Sequence, residues 1–129
     1  MELRATEVLA ELNRDGGYSL CLVCTDQGLL IASHGDLWRS EVAAGLTSLL
    51  NDIAIRAVRD FSVGEVDEMT ILSGKSGRFI VRALAPGFTP RVFLVVHAPC
   101  NATWRRLTTA AARKLSIIIR PLLNTTPLP

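Results

Sequence analysis

A Gly-Lys-Ser triplet, Gly74-Lys75-Ser76, is the pattern in this sequence that comes nearest to a phosphate-binding motif. A phosphate-binding loop also requires a glycine five positions before the Gly-Lys pair, and Met69 stands at that position. It further requires a helix after the triplet, whereas the segment that follows, Arg78-Phe-Ile-Val-Arg82, is typical of a strand. The triplet is therefore interpreted as a turn between two strands, and no cofactor is expected.

The two histidines, His34 and His97, are the next candidates for chemistry, because each lies at the end of a predicted strand. Asp36 or Cys100 could complete a metal site, but no His-x-His or His-x-x-x-His pair supports one. No Gly-x-Ser-x-Gly motif is present, and no Ser, His and Asp set stands out as a catalytic triad. We expect surface histidines, no metal site and no catalytic residues.

Cys21 and Cys24 form a Cys-x-x-Cys pattern that could indicate zinc or redox chemistry. The pattern lies inside an apolar run that is typical of a strand, and residues three apart on a strand point to opposite faces of the sheet. The two sulfur atoms therefore cannot hold one metal ion or bond to each other. We expect buried, inert thiols.

The composition is that of a single globular domain. Among 129 residues, 49% are apolar and 20% are charged, which excludes a disordered chain. We expect one domain over residues 1–121 and a loose tail over 122–129, because Pro121 and two further prolines interrupt the end of the chain. No apolar run approaches the roughly 18 residues of a membrane span, and no signal peptide is visible, so a cytoplasmic protein is expected.

The net charge of +2 conceals a division between the two halves of the chain. Through Gly64 there are five basic and nine acidic residues, from Glu65 onward there are nine basic and three acidic ones, and no acid follows Glu68. The halves could mix in the fold and cancel. Alternatively, the last helix carries a basic surface for an acidic partner or a membrane. Aromatic residues make up only 5% and no nucleic-acid-reading motif is present, so no nucleic acid is expected.

The longest predicted element is a helix over Asp36–Phe61, with Asp36 as its N-terminal cap. At 100° per residue, large apolar side chains gather on one broad side of this helix: Trp38, Val42, Leu46, Leu49, Leu50, Ile53, Ala57 and Phe61. The helix is about 37 Å long, more than a domain of this size needs to cover its own sheet. Part of the apolar side is therefore expected to cover a second molecule.

The remaining pattern predicts two further helices and five strands. The helices are Glu2–Asn13 and a last helix that is capped by Asn101 or Thr103 and ended by Pro121. The strands form a hairpin, Tyr18–Thr25 and Leu29–Ser33, and a meander, Val66–Ser73, Arg78–Leu84 and Arg91–His97. All five can pair antiparallel, with helices on both faces, so the fold class is α+β.

Two stretches carry a resemblance to a known family. They are the hairpin Asp26-Gln-Gly-Leu-Leu-Ile-Ala32, within the run Tyr18–Ser33, and the segment Glu41-Val-Ala-Ala-Gly-Leu46 of the long helix. With the order of elements, they make Leu3–Arg120 similar to the roadblock/dynein light-chain family. The resemblance implies a five-stranded antiparallel sheet with the long helix on one face and the two terminal helices on the other.

The resemblance also implies a dimer and a partner. Family members typically pair their third strands edge to edge and lay their long helices side by side. The expected dimer residues are Leu46, Leu49, Leu50, Ile53, Val66, Met69 and Ile71. The homodimer, or a heterodimer with a paralogue, is expected to bind a Ras-like small GTPase as a non-enzymatic regulator or adaptor. Similar bacterial proteins sometimes activate GTP hydrolysis by their GTPase.

The predicted partner surface lies on the opposite side of the long helix. Ala44, Ser48, Asn51, Ile55 and Arg59 form a mostly polar strip there, and the small residues would let another backbone approach. Two alternatives remain: a small-molecule sensor domain on a similar helix-covered sheet, which needs a cavity, and an enzyme that uses His34 or His97. A dimer in solution favours the regulator over both.

Overall fold

The computed structural model describes residues 2–84 and 89–123. It contains three helices, α1 (Glu2–Gly16), α2 (Leu37–Phe61) and α3 (Arg105–Leu123). Five strands accompany them: β1 (Leu20–Thr25), β2 (Leu30–His34), β3 (Glu68–Ser73), β4 (Gly77–Ala83) and β5 (Val92–Ala98). Each predicted element is present, and the order along the chain is the predicted one.

The strands form one antiparallel sheet in the order β2-β1-β5-β4-β3. The most apolar strand, β5, is central, and its side chains are almost all buried because both faces of the sheet are covered there. β2 and β3 form the two edges. Glu68 pairs with Arg82 and Leu72 with Arg78, which fixes the register of the β3 edge.

Helices cover the sheet on both sides. α2 lies on one face, mainly over β1 and β2, while α1 and α3 pack together on the other face. The apolar core is accordingly split into two layers by the sheet. Leu22, Val81 and Phe93 belong to the α2 layer, and Leu9, Ile80 and Leu115 belong to the α1/α3 layer. The predicted fold is confirmed.

α2 begins as its sequence predicts. The Asp36 side chain accepts a hydrogen bond from the Arg39 amide at 3.1 Å. The residues of α2 that face the sheet are small or polar, and they let the helix backbone approach the strands closely. These residues are Ser40, Ala43, Ala44, Thr47, Asn51 and Ala54. The large apolar side chains of α2 therefore point mostly away from the sheet.

Two predicted boundaries are wrong. α3 starts at Arg105, with the Trp104 carbonyl accepting from the Thr108 amide, so neither predicted cap residue occupies the capping position. α3 also continues through Pro121 to Leu123, because a proline near a helix end removes only one hydrogen bond from the last turn. The predicted tail thus loses its first two residues to the helix, and residues 124–129 lie outside the part described.

Arg82 joins β4 to the start of α3. Its Nη1 donates to the Arg105 carbonyl at 3.2 Å and to the hydroxyls of Thr108 and Thr109 at 2.8 and 2.7 Å. Glu68 lies 3.9 Å from Arg82 Nε and 3.4 Å from Arg105 Nη1. These contacts hold the first turn of α3 above the β3–β4 edge of the sheet.

The two strand cysteines lie on opposite faces, as predicted. Cys21 is buried in the α1/α3 layer and Cys24 in the α2 layer. Burial raises the pKa of the Cys24 thiol to about 12, and burial likewise raises the pKa of Cys21. Cys100, in contrast, is exposed. A thiol with a raised pKa and no access to solvent is a poor nucleophile.

We therefore expect one fast-reacting thiol in the native protein. Excess 5,5′-dithiobis(2-nitrobenzoate) should modify Cys100 within minutes, and Cys21 and Cys24 only after denaturant is added. Mass spectrometry of the labelled protein checks the count, and the Cys100→Ser variant serves as the control. Fast labelling of that variant without denaturant, or an equimolar amount of tightly bound zinc, would contradict the buried placement.

Candidate protein-binding surfaces of the long helix

An apolar strip covers the outward side of α2. Leu49 and Ile53 are 62% and 63% exposed, and Trp38 and Val42 continue the strip toward the start of the helix. Scattered exposed apolar residues need no explanation, but a contiguous row on one helix is typical of an interaction surface. We call Trp38, Val42, Leu46, Leu49 and Ile53 the outward strip.

The nearby sheet edge is also unpartnered. β3 pairs with β4 on one side, and no strand among the described residues pairs with its other side. Ile71 is exposed on the same sheet face as α2. Open strand edges bind other strands, and natural proteins usually protect them. This edge therefore offers a second surface that is continuous with the first.

A groove of about 390 Å³ joins the two surfaces. Trp38, Val42 and Leu46 line it from the helix, and Ile71 and Phe79 line it from β3 and β4. The groove exists because α2 lies mainly over β1 and β2 and leaves the β3–β4 side of this face open. The groove is thus an apolar surface that the single chain leaves uncovered.

His97 stands at the end of this groove in a defined hydrogen-bond network. Its Nε2 lies 2.7 Å from the Ser76 carbonyl oxygen, which can only accept, so Nε2 carries the proton. Its Nδ1 lies 2.7 Å from Ser19 Oγ and 3.5 Å from Arg39 Nη2. These bonds tie β5 to the β3–β4 turn and to the start of α2, which is a structural role.

His34 and His97 do not share a site. The His34 ring lies 2.8 Å from the Asn13 side chain of α1, on the other side of the sheet from the groove. Within residues 2–84 and 89–123 no group of three or more His, Cys, Asp or Glu side chains is placed to hold a metal ion. The two described histidines therefore do not come together in one metal site.

The predicted dimer residues fall into three groups. Leu46, Leu49, Ile53 and Ile71 are exposed around the groove. Leu50 and Met69 are partly buried and pack against the core of the α2 layer, so they lie beneath the exposed residues. Val66 precedes β3 instead of lying in it, and its carbonyl accepts from Arg91 Nη2 at 3.0 Å. Trp38 and Phe79 also line the groove, although neither is among the predicted dimer residues. For Phe79, the alternation of side chains between the two faces of β4 is the sequence signal that places it on the groove side.

The five predicted partner residues do not form one surface. Ala44 is 0% and Asn51 4% exposed, because both face the sheet beneath α2. Ser48 is half-buried beside the β1–β2 turn at Gly28. The small residues permit the close approach of a backbone, as expected, but the backbone is that of the chain's own sheet. Ile55 and Arg59 alone are well exposed.

The geometry defines a class of protein. It is a small α+β domain that presents one face of a long helix and one strand edge to its surroundings. The family model of the Roadblock/LC7 domain matches residues 4–98. The chain belongs to this family of regulator and adaptor domains, as the hairpin and the long helix indicated.

Solved structures share the fold. MglB of Myxococcus xanthus matches with a TM-score of 0.82 and 18% identity, covering 98% of this chain and 95% of that one. A structure described as MglB with a tetrameric arrangement matches at 0.79 and 20%, covering 94% and 91%. The gliding protein MglB of Thermus thermophilus matches at 0.72 and 19%, covering 92% and 90%. A search of the curated proteins found no match.

Among the residues that the structure describes, none of the helices combines the length and the apolar character needed to cross a bilayer.

Proposed function

We propose that this chain forms a cytoplasmic homodimer that binds a Ras-like small GTPase and regulates it without catalytic residues of its own. The observation that carries the proposal is the outward strip of α2, which is continuous with the open edge of β3. Both are surfaces that a single chain leaves exposed to water. The likeness to MglB structures and the membership of the Roadblock/LC7 family support a regulatory role.

The proposed dimer uses both surfaces at once. Two β3 strands pair antiparallel across a two-fold axis, and each outward strip packs beside the other above the joined sheet. Ile71 and Leu46 of one copy then lose their contact with water, together with Leu49 and Ile53. The same geometry admits a paralogue in place of the second copy, which would give a heterodimer.

The GTPase is proposed to contact the flank of α2 that carries Ile55 and Arg59, with Ser48 at its margin. Ile55 is 51% exposed, and Arg59 lies 3.2 Å from its exposed neighbour Asp60. On a helical wheel this flank is turned well away from Leu46 and the groove. A partner can therefore bind there while the dimer stays intact.

Ile55→Arg should weaken GTPase binding by at least about tenfold, because it replaces an apolar contact with a charge that must be desolvated. The partner for this measurement is the small GTPase encoded nearest to this chain's gene, loaded with GDP or with a non-hydrolysable GTP analogue. Calorimetry gives the dissociation constant, and the GTP hydrolysis rate shows whether binding activates the GTPase. Ile117→Arg, at an exposed isoleucine of α3, is the matched control.

Unchanged affinity of the Ile55→Arg variant would place the GTPase site elsewhere. Light scattering accompanies the binding measurement, since the dimer should survive this substitution.

A small-molecule sensor remains the second candidate, and the groove favours it. The groove is largely apolar, and Trp38 and Phe79 could enclose a flat apolar ligand. The two functions exclude each other at this place, because a paired helix in the dimer would fill the groove. A chain that stays monomeric and melts at a higher temperature with an apolar ligand would support the sensor.

A further inference from the structure

Two arginines flank one tryptophan where α3 begins. The guanidinium carbon of Arg105 lies 4.3 Å from the centroid of the Trp104 ring, and that of Arg78 lies 5.8 Å from it. Contacts of this kind hold long side chains in place while their charge stays accessible. The entropy cost of ordering Arg78 and Arg105 around a ligand is thereby reduced.

Two further arginines extend this positive charge along α3. Arg106 and Arg113 are exposed and lie two turns apart on the outward side of the helix. No acidic side chain among the described residues lies within ion-pair distance of either one. Other cations lie near carboxylates: Lys114 is 4.0 Å from Glu11, and Glu68 is 3.9 Å from Arg82 and 3.4 Å from Arg105. We call Arg78, Arg105, Arg106 and Arg113 the basic face.

Neither sequence interpretation of the charge division is complete. Lys114 and Glu11, 4.0 Å apart, join the two halves, so part of the charge cancels between them, whereas Arg91 and Glu65, 3.6 Å apart, both belong to the second half. The basic face keeps a net positive charge, because Glu68 lies near only one of its four arginines, Arg105, among the described residues. It lies on the α1/α3 side of the sheet, whereas the groove and the outward strip lie on the α2 side.

An apolar step lies beside the basic face. Leu72 of β3 is 61% exposed and stands opposite Arg78 in the strand register, on the same side of the sheet as α3. α3 rises above this floor by about the 10 Å diameter of a helix. A flat lipid bilayer that rests on α3 cannot reach Leu72. A polypeptide can enter the step, with acidic side chains toward the arginines and an apolar one toward Leu72.

We propose that the basic face and Leu72 bind an acidic, amphipathic segment of a partner protein. The inference does not rest on the proposed GTPase function, because it uses the other side of the sheet. The chain could then hold an acidic partner on one side while the α2 side is engaged. Nucleic acid fits less well, since a phosphate backbone that approached this floor would meet the apolar side chain of Leu72.

The test uses defined probes and the full chain. A fluorescent peptide of about 18 residues, with glutamate on one helical face and leucine on the other, is titrated with the protein. Vesicles with phosphatidylglycerol and a short DNA duplex are titrated in parallel. We expect the acidic peptide to bind most tightly, with an affinity that falls as salt is raised.

Two variants and a matched control assign the binding. R106E/R113E should lower peptide affinity by at least about tenfold, and Leu72→Ser by about threefold to tenfold. R14E/R56E makes the same change in net charge at exposed arginines elsewhere and should leave affinity within about twofold. All three variants change exposed side chains, and circular dichroism verifies that each variant is folded.

Three outcomes would overturn the proposal. The first is unchanged peptide affinity in R106E/R113E. The second is an equal loss of affinity in R14E/R56E, which would indicate that net charge alone controls binding. The third is tighter binding of the vesicles or the DNA duplex than of the peptide.

Discussion

Leu49→Asp is expected to convert the proposed dimer into a folded monomer. Leu49 is mostly exposed in the single chain, so aspartate at this position costs the isolated fold little. In the proposed dimer the same side chain lies near the two-fold axis and occurs twice, so the complex must desolvate two carboxylates. At roughly 2 kcal/mol for each, the dissociation constant should rise about a thousandfold.

Light scattering after gel filtration, over a range of protein concentrations, measures this change. Ile53→Asp should act in the same way, and Leu3→Asp provides the control because Leu3 is also mostly exposed but lies on α1. Two results would refute the dimer: a monomer at micromolar concentration for the unmodified chain, or a dimer of undiminished affinity in both strip variants.

Ala44→Arg is expected to unfold the protein, whereas Gly45→Arg is expected to leave it folded. Ala44 is fully buried against the sheet, where an arginine would bring an unpaired charge and far more volume than the site can hold. A loss above about 4 kcal/mol is expected from these two effects together. Gly45 is exposed, and a Cβ added there meets no atom within 4 Å.

The pair of variants places the same side chain at adjacent positions of one helix. Gly45→Arg should even gain up to about 1 kcal/mol, because arginine favours the helix more than glycine does. Urea denaturation at a fixed protein concentration gives both free energies of unfolding. A folded Ala44→Arg protein with normal stability would mean that α2 does not seat its small residues on the sheet.

Periodicity predicted most of the fold. The segment from Leu37 to Phe61 is long and free of proline, and its apolar residues recur at helical spacing. The α2 helix and its cap at Asp36 therefore follow from the local sequence. The five strands are short but each is bounded by glycine, proline or acidic turn residues. Boundaries moved only by one to three residues, as at β3, which starts at Glu68 instead of Val66.

The site was harder to predict because α2 has two faces that could each be buried. Burial of large apolar residues is the usual rule, and by that rule the side with Leu49 faces the sheet at least in part. Here Ala43, Ala44 and Thr47 face it instead. A helical wheel ranks the faces of a helix by hydrophobicity, but it gives no information on the distance between the helix and the sheet. Ala44 and Asn51 were therefore assigned to a partner surface.

The position of α2 over β1 and β2 has a consequence for local opening of the fold. On the α2 side of the sheet, β3 has no helix above it and no strand beyond it among the described residues, so its amides need only a small fluctuation to reach water. Pairing with a second β3 would protect these amides from water. Hydrogen exchange in β3 should therefore slow as protein concentration rises, while exchange in β5 stays constant. The pairing of β3 with β4 would then be stabilised by dimer formation as much as by folding of the single chain.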